Sequence, residues 1–97
     1  MNREMLMLVE AIAREKNVSD DIVFGALEHA LAQATKKQYP GEVDIRVAMN
    51  RETGEYDTFR RWLVVPNEAG LQNPDAEELL MDEQERVPDV TEGAYIE

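Results

Sequence analysis

The sequence predicts an α+β fold, with two N-terminal helices followed by a small, mainly antiparallel sheet built from a hairpin plus short strands. Three observations predict it. Apolar residues recur at helical spacing twice within residues 1–39, a period of two takes over at Val43, and turn formers separate the blocks at Asn17, Pro40-Gly41 and Asn50 to Gly54. At 97 residues the chain has the length of one domain. It divides into a helical part (1–39), a β-hairpin (40–65), a loop (66–74) and an acidic strand/turn segment (75–97).

The first helix is expected over residues 2–16. Asn2 suits its N-cap, Met1 and Leu6 are spaced as a hydrophobic staple, and Met5, Leu8, Val9 and Ile12 repeat at helical spacing. Asn17 suits the left-handed residue that ends a helix. Ser19 then caps a second helix. Asp20 and Asp21 favour its positive end, and Val18 with Val23 offers another staple. The series Val23, Ala26, Leu27, Ala30, Leu31, Ala34 forms its apolar face, and Lys36 and Lys37 offset the dipole before Pro40-Gly41 stops it. Val43, Ile45, Val47 and Met49 alternate with polar neighbours, Gly54 is available for positive φ, and Tyr56 to Val65 returns as an aromatic and β-branched strand. Arg60 and Arg61, being adjacent on a strand, must point to opposite faces. Residues 78–81 fit a short strand or part of a helix, Asp82 to Arg86 suits a helical turn, and residues 93–97 begin like a strand. The chain then stops after an apolar pair, which reads as truncation.

The charge is uneven. Residues 1–65 hold nine basic and eleven acidic groups, whereas residues 66–97 hold ten acidic groups and Arg86 as their one base. A net charge of −11 excludes binding to duplex DNA through the overall field, and the rear third repels polyanions. The front two-thirds is near neutral and has room for a local basic patch. No cysteine is present, which removes disulfides and zinc–thiolate sites and fits a reducing compartment. No apolar run approaches the roughly 18–20 residues of a membrane span. The run between Glu4 and Glu10 is too short for a signal peptide, so a cytoplasmic protein with no membrane partner is expected.

No chemistry-bearing motif appears. Glycines occur singly at turns rather than in a phosphate loop, and the lone histidine, His29, reads as a surface or boundary residue. The acidic stretch from Asp75 to Glu85 lacks the alternating spacing and central glycine of a calcium loop and reads as a solvated face. Asn17-Val18-Ser19 is explained by helix termination and capping rather than by glycosylation. No enzyme, cofactor or metal is expected. The second helix is more informative. Its apolar residues sweep about 200°, roughly twice the stripe needed to bury one face. The helix is central, contacting both the first helix and the sheet, or one flank, Phe24 with Leu31, is left for a partner helix, and the two readings are not exclusive. Arg60-Arg61-Trp62 has the composition of a phosphate or nucleic-acid contact, and equally of a cross-hairpin ion pair to Asp44, Asp57 or Glu42 with Trp62 in the core.

The run Asp57-Thr58-Phe59-Arg60-Arg61-Trp62-Leu63-Val64-Val65 resembles the signature of the NusA N-terminal domain family. The likeness extends upstream through Glu10-Ala11, Glu15-Lys16, Ala26-Leu27-Glu28, Ala30-Leu31-Ala32, Ala34-Thr35-Lys36-Lys37, Glu42 to Val47 and Arg51 to Gly54. It continues more loosely at Leu79, Met81, Glu83, Pro88 and Gly93 to Glu97, departing at Gln84 and Ala94. The resemblance implies a bacterial transcription factor acting in elongation, termination and antitermination, and not an enzyme. It implies that the domain continues into a long C-terminal helix, truncated here, followed by RNA-binding domains. It also implies docking on RNA polymerase at the β-subunit flap region beside the RNA exit channel, and prolonged pausing through the nascent RNA hairpin. On that basis Phe24, Leu27 and Leu31 are the candidate polymerase-binding residues. Lys36, Lys37, Arg60 and Arg61 are the candidate cations for the hairpin stem, whose dense charge needs local cations even on an acidic protein.

Two other functional classes are open. A stand-alone RNA-binding module predicts RNA affinity with a salt slope of about −0.7 per phosphate contacted on a single strand. An acidic interaction adaptor predicts that binding depends on residues 75–97. Loss of a packing helix would expose an apolar patch, so a crystal dimer through that surface is a further expectation.

Overall fold

A computed structural model describes residues 1–97. The first helix, α1 (Arg3–Lys16), is capped by Asn2, whose side-chain oxygen accepts the Met5 N–H at 3.0 Å. It ends at Asn17, in the left-handed conformation (φ 55°, ψ 48°), as its sequence predicts. The second, α2 (Asp20–Lys36), is capped by Ser19, which accepts the Ile22 N–H at 3.3 Å. The expected staple of Met1 on Leu6 is corrected. Met1 stays exposed because its charged ammonium reaches out to Glu55 at 2.7 Å. No helix is long and apolar enough to cross a membrane.

Strands β1 (Asp44–Met49) and β2 (Tyr56–Val65) form the antiparallel hairpin, in a register that sets Asp44 opposite Arg61 and Met49 opposite Tyr56. Its turn is organised by Asn50, whose side chain accepts the N–H groups of Glu52 and Thr53, and by Gly54 at φ +76°. The turn is also tied to α1, because the Asn2 N–H donates to the Thr53 carbonyl at 2.6 Å. β2 outruns its partner, and its far end carries β3 (Glu77–Leu79, parallel) and β4 (Tyr95–Ile96, antiparallel). The ambiguous residues 78–81 divide between two elements. Strand β3 ends at Leu79 and a single turn, α3 (Leu80–Glu83), starts immediately. The 66–74 segment is irregular apart from a 3-10 turn at Asn67–Ala69.

The helices cover one face of the sheet. Val9 and Ala13 of α1 meet Val23 and Phe24 of α2 and Met49 of β1. A second cluster joins Ala32 to Val43, Ile45 and Val47, and Leu31 touches both. Val64, Val65 and Val90 are buried outside these two clusters. Glu83 is buried as well, 2% exposed, and its carboxylate is held by Arg86 at 2.7 Å.

Candidate functional site

The helical pair carries the first candidate surface. The periodicity of α2 left open whether Phe24 and Leu31 face a partner or the core, and the structure puts both toward the core. Phe24 is 4% exposed, wedged between α1 and Met49 and covered by the Arg51 guanidinium 5.1 Å from its ring. Leu31 is half-buried because it fills the junction of the two apolar clusters, and Leu27 is half-buried in the first. The reading in which this flank is left exposed is therefore corrected for Phe24, whereas Leu31 stays partly accessible. The apolar side chains left facing out are Ile22 at the start of α2, 60% exposed, and Met7 and Leu8 on α1, at 62% and 47%. The wide apolar arc of α2 reflects a helix packed against both α1 and the sheet, with Ile22, Ala26 and Ala30 left on the outer side.

The four candidate cations do not form one patch. Arg60 pairs in register with Ile45 and points to the helical side. There it stacks on Trp62 (4.6 Å) and Tyr39 (5.8 Å) and donates to the Asp75 carbonyl at 3.1 Å, while its Nε is buried without an acceptor. Tyr39 follows Lys36 by one turn, its N–H bonded to the Lys36 carbonyl, so Arg60 lies against the segment that follows α2. Arg61 points the other way, donates to Asp44 at 2.7 Å and stacks 3.9 Å from the Tyr95 ring. The strand's alternation separates the pair, and Trp62 is half-buried beneath Arg60.

Two further arginines organise the site. Arg51 binds both Glu28 oxygens (2.7 and 3.1 Å), the Asp21 carboxylate (3.3 Å) and the Met49 carbonyl (2.9 Å). Glu28 in turn accepts the Met49 N–H at 2.8 Å. The Arg51 hydrogen bond is the largest influence on Glu28 and, with the Met49 N–H, holds its carboxyl below the usual value against the opposing effect of burial. Arg46 stacks 4.5 Å from the Phe59 ring and forks onto the Glu97 carboxylate, which lowers the Glu97 pKa. The register of a polar Arg46 opposite Phe59 was an available signal. The Arg51–Glu28 clasp had none, since it joins a turn to a helix 23 residues away.

The family profile described as NusA N-terminal domain matches residues 4–97. A transcription termination/antitermination protein NusA of Rickettsia conorii is 34% identical over 86 residues, covering 77% of this chain and 17% of the relative. Its counterpart in Rickettsia prowazekii is 37% identical over 59 residues, covering 61% and 12%. The chain thus spans less than a fifth of the curated relatives it matches. The solution structure of the N-terminal domain of NusA from B. subtilis superposes with a TM-score of 0.69 at 29% identity, covering 99% of this chain and 75% of that one.

Proposed function

The chain belongs to the NusA N-terminal domain family, and from that premise we propose that it is the RNA polymerase-docking part of a transcription elongation factor. In this reading the factor promotes pausing and hairpin-dependent termination and takes part in antitermination. The observation that carries it is the set of large apolar side chains left exposed on the packed helices, Met7 and Leu8 on α1 and Ile22 on α2, while Leu27 and Leu31 are half-buried. A helix of the β-subunit flap region docks there, gaining about 25 cal/mol for each Å² of apolar surface removed from water. Phe24 contributes by holding α2 against the hairpin turn rather than by touching the partner.

Once docked, Lys36 and Lys37 at the C-terminal end of α2, and Arg60 on β2 against Tyr39, meet the phosphates of the nascent RNA hairpin. They stabilise its stem without reading bases, as expected where an A-form helix is recognised by shape and charge. Arg61 contributes least, since Asp44 already neutralises it on the opposite face.

Capture of the isolated flap region, combined with a pausing assay, tests this division. The double substitution Leu8→Asp/Ile22→Asp should abolish capture while leaving Tm unchanged. The pair Lys36→Glu/Lys37→Glu should weaken pause enhancement and leave capture nearly intact. Equal loss of both activities in the lysine pair, or full capture by the aspartate pair, would count against the reading.

A further inference from the structure

The face of the sheet turned away from α1 and α2 has no layer of its own. Register and alternation bring Asp44, Arg46, Phe59, Arg61 and Leu63 to it, with Tyr95 beside Leu63 and Glu77 on the other side of Leu63. This face already holds two guanidinium groups, both in the same way, each between an aromatic ring and a carboxylate. Arg61 lies 3.9 Å from the Tyr95 ring and 2.7 Å from Asp44, and Arg46 lies 4.5 Å from the Phe59 ring with its fork on Glu97.

Beside them opens a groove of about 570 Å³, lined by Leu63, Tyr95, Glu42, Asp44 and Glu77, with Lys36 as the one cation. Its carboxylates have capacity to spare. Glu77 Oε1 accepts the N–H groups of Gln72 and Asn73, which leaves Oε2 unused, and the Glu42 side chain makes no hydrogen bond within the fold. Tyr95 is among the more exposed aromatic side chains. A ring, an aliphatic wall and unspent carboxylates are the components that hold the chain's own arginines a few ångströms away.

We propose that this groove receives an arginine side chain from a protein partner, its guanidinium between Glu42, Glu77 and the Tyr95 ring and its methylene stem along Leu63. Charge complementarity selects this occupant: with Asp44 already paired to Arg61, the unpaired Glu42 and Glu77 share the groove with Lys36 as its one base, on a chain of net charge −11. Glu42 and Glu77 repel phosphate, so a nucleic acid is not the groove's ligand, and Lys36 is the one lining residue it shares with the cations assigned to RNA. Arginine is favoured over lysine because a planar fork matches paired carboxylates and stacks on a ring. The groove's lining includes Lys36 at the end of α2 but none of Met7, Leu8 and Ile22, so it and the helical docking surface can fail independently.

The test titrates the 15N-labelled chain with the blocked peptide Gly-Leu-Arg-Leu-Gly, with the same peptide carrying citrulline for arginine, and with a single-stranded oligonucleotide. Saturable shifts are expected at the amides of Leu63, Glu77 and Tyr95 with the arginine peptide, at least tenfold weaker with citrulline and none with the oligonucleotide. E42Q alone, which removes no contact of the fold, should lower affinity at least threefold. E42Q/E77Q should lower it further, since glutamine at 77 keeps the acceptor for the loop amides. K36Q should raise affinity, a result that no loss of folding can produce. Equal response to citrulline, shifts centred on another face, oligonucleotide binding in the groove, or unchanged affinity in E42Q and K36Q would overturn the assignment.

Discussion

Phe24 and Arg51 show how a single side chain can serve stability where its type suggested recognition. A buried phenylalanine between two helices and a strand is a packing element first, and Phe24→Ala should cost about 3–4 kcal/mol by chemical denaturation. The neighbouring clasp makes a pH-dependent prediction. The folded-state pKa of Glu28 is depressed, so the stability it contributes is fully present above its unfolded value of 4.5 and is lost as pH falls through the lowered folded value. Arg51→Met should therefore destabilise the chain by about 1–2 kcal/mol near neutrality. The difference from the wild type should shrink in urea melts as pH is lowered through the depressed folded-state value, below which Glu28 is protonated in both states. An unchanged difference at acid pH would show that Arg51 acts through its packing on Phe24 alone.

The elements are joined by short polar devices as much as by apolar contact. The hairpin turn bears directly on the start of α1. A Cβ at Gly54 would stand 2.5 Å from the Asn2 carbonyl oxygen and within 3.3 Å of Met5 and Leu6 side-chain atoms, at a φ of +76°. Gly54→Ala should therefore exceed the roughly 1–2 kcal/mol of a left-handed alanine, because backbone rather than a flexible side chain stands in the way. Asn2→Ala, which removes only the cap, should cost about 1 kcal/mol. Thermal melts of the two variants distinguish a rigid turn–helix junction, in which glycine is the more sensitive, from an independent cap. Both helices, both caps and the left-handed Asn17 were legible from residue type and spacing, since each rests on contacts within a few residues, and the two long strands from their β-forming composition and the turn between them. The parallel pairing of β3, the Arg60–Tyr39–Trp62 stack and the Arg51 clasp were not, because each depends on segments at least 14 residues apart whose meeting no local period encodes.

The molecule as a whole is elongated, 49 × 28 × 23 Å with a radius of gyration of 17.0 Å, against about 13 Å for a compact domain of this length. Its buried residues fall into separate clusters along that length rather than into one centre. Stability should be graded accordingly. Amide hydrogen exchange is expected to be slowest in α1, α2 and β1, and fastest in β3 and β4, which pair through three and two residues. Uniform protection would contradict the gradient. The acidic end, where Glu83 is sealed in with Arg86 as its partner, should also gain most protection from added salt, since ten of the 21 acids lie beyond Val65.

Periodicity, capping chemistry and charge distribution were sufficient for the order of elements, the α+β class, the separation of Arg60 from Arg61 and the family likeness, because these depend on residue type at short spacing. Which apolar side chains of α2 reach solvent, which carboxylate claims each arginine, and which face of the sheet stays bare were decided by packing. An apolar arc of 200° is equally consistent with one buried helix or one docking helix. Only the arrival of α1 on one side and Met49 with Arg51 on the other turned Phe24 inward and left Ile22 outside.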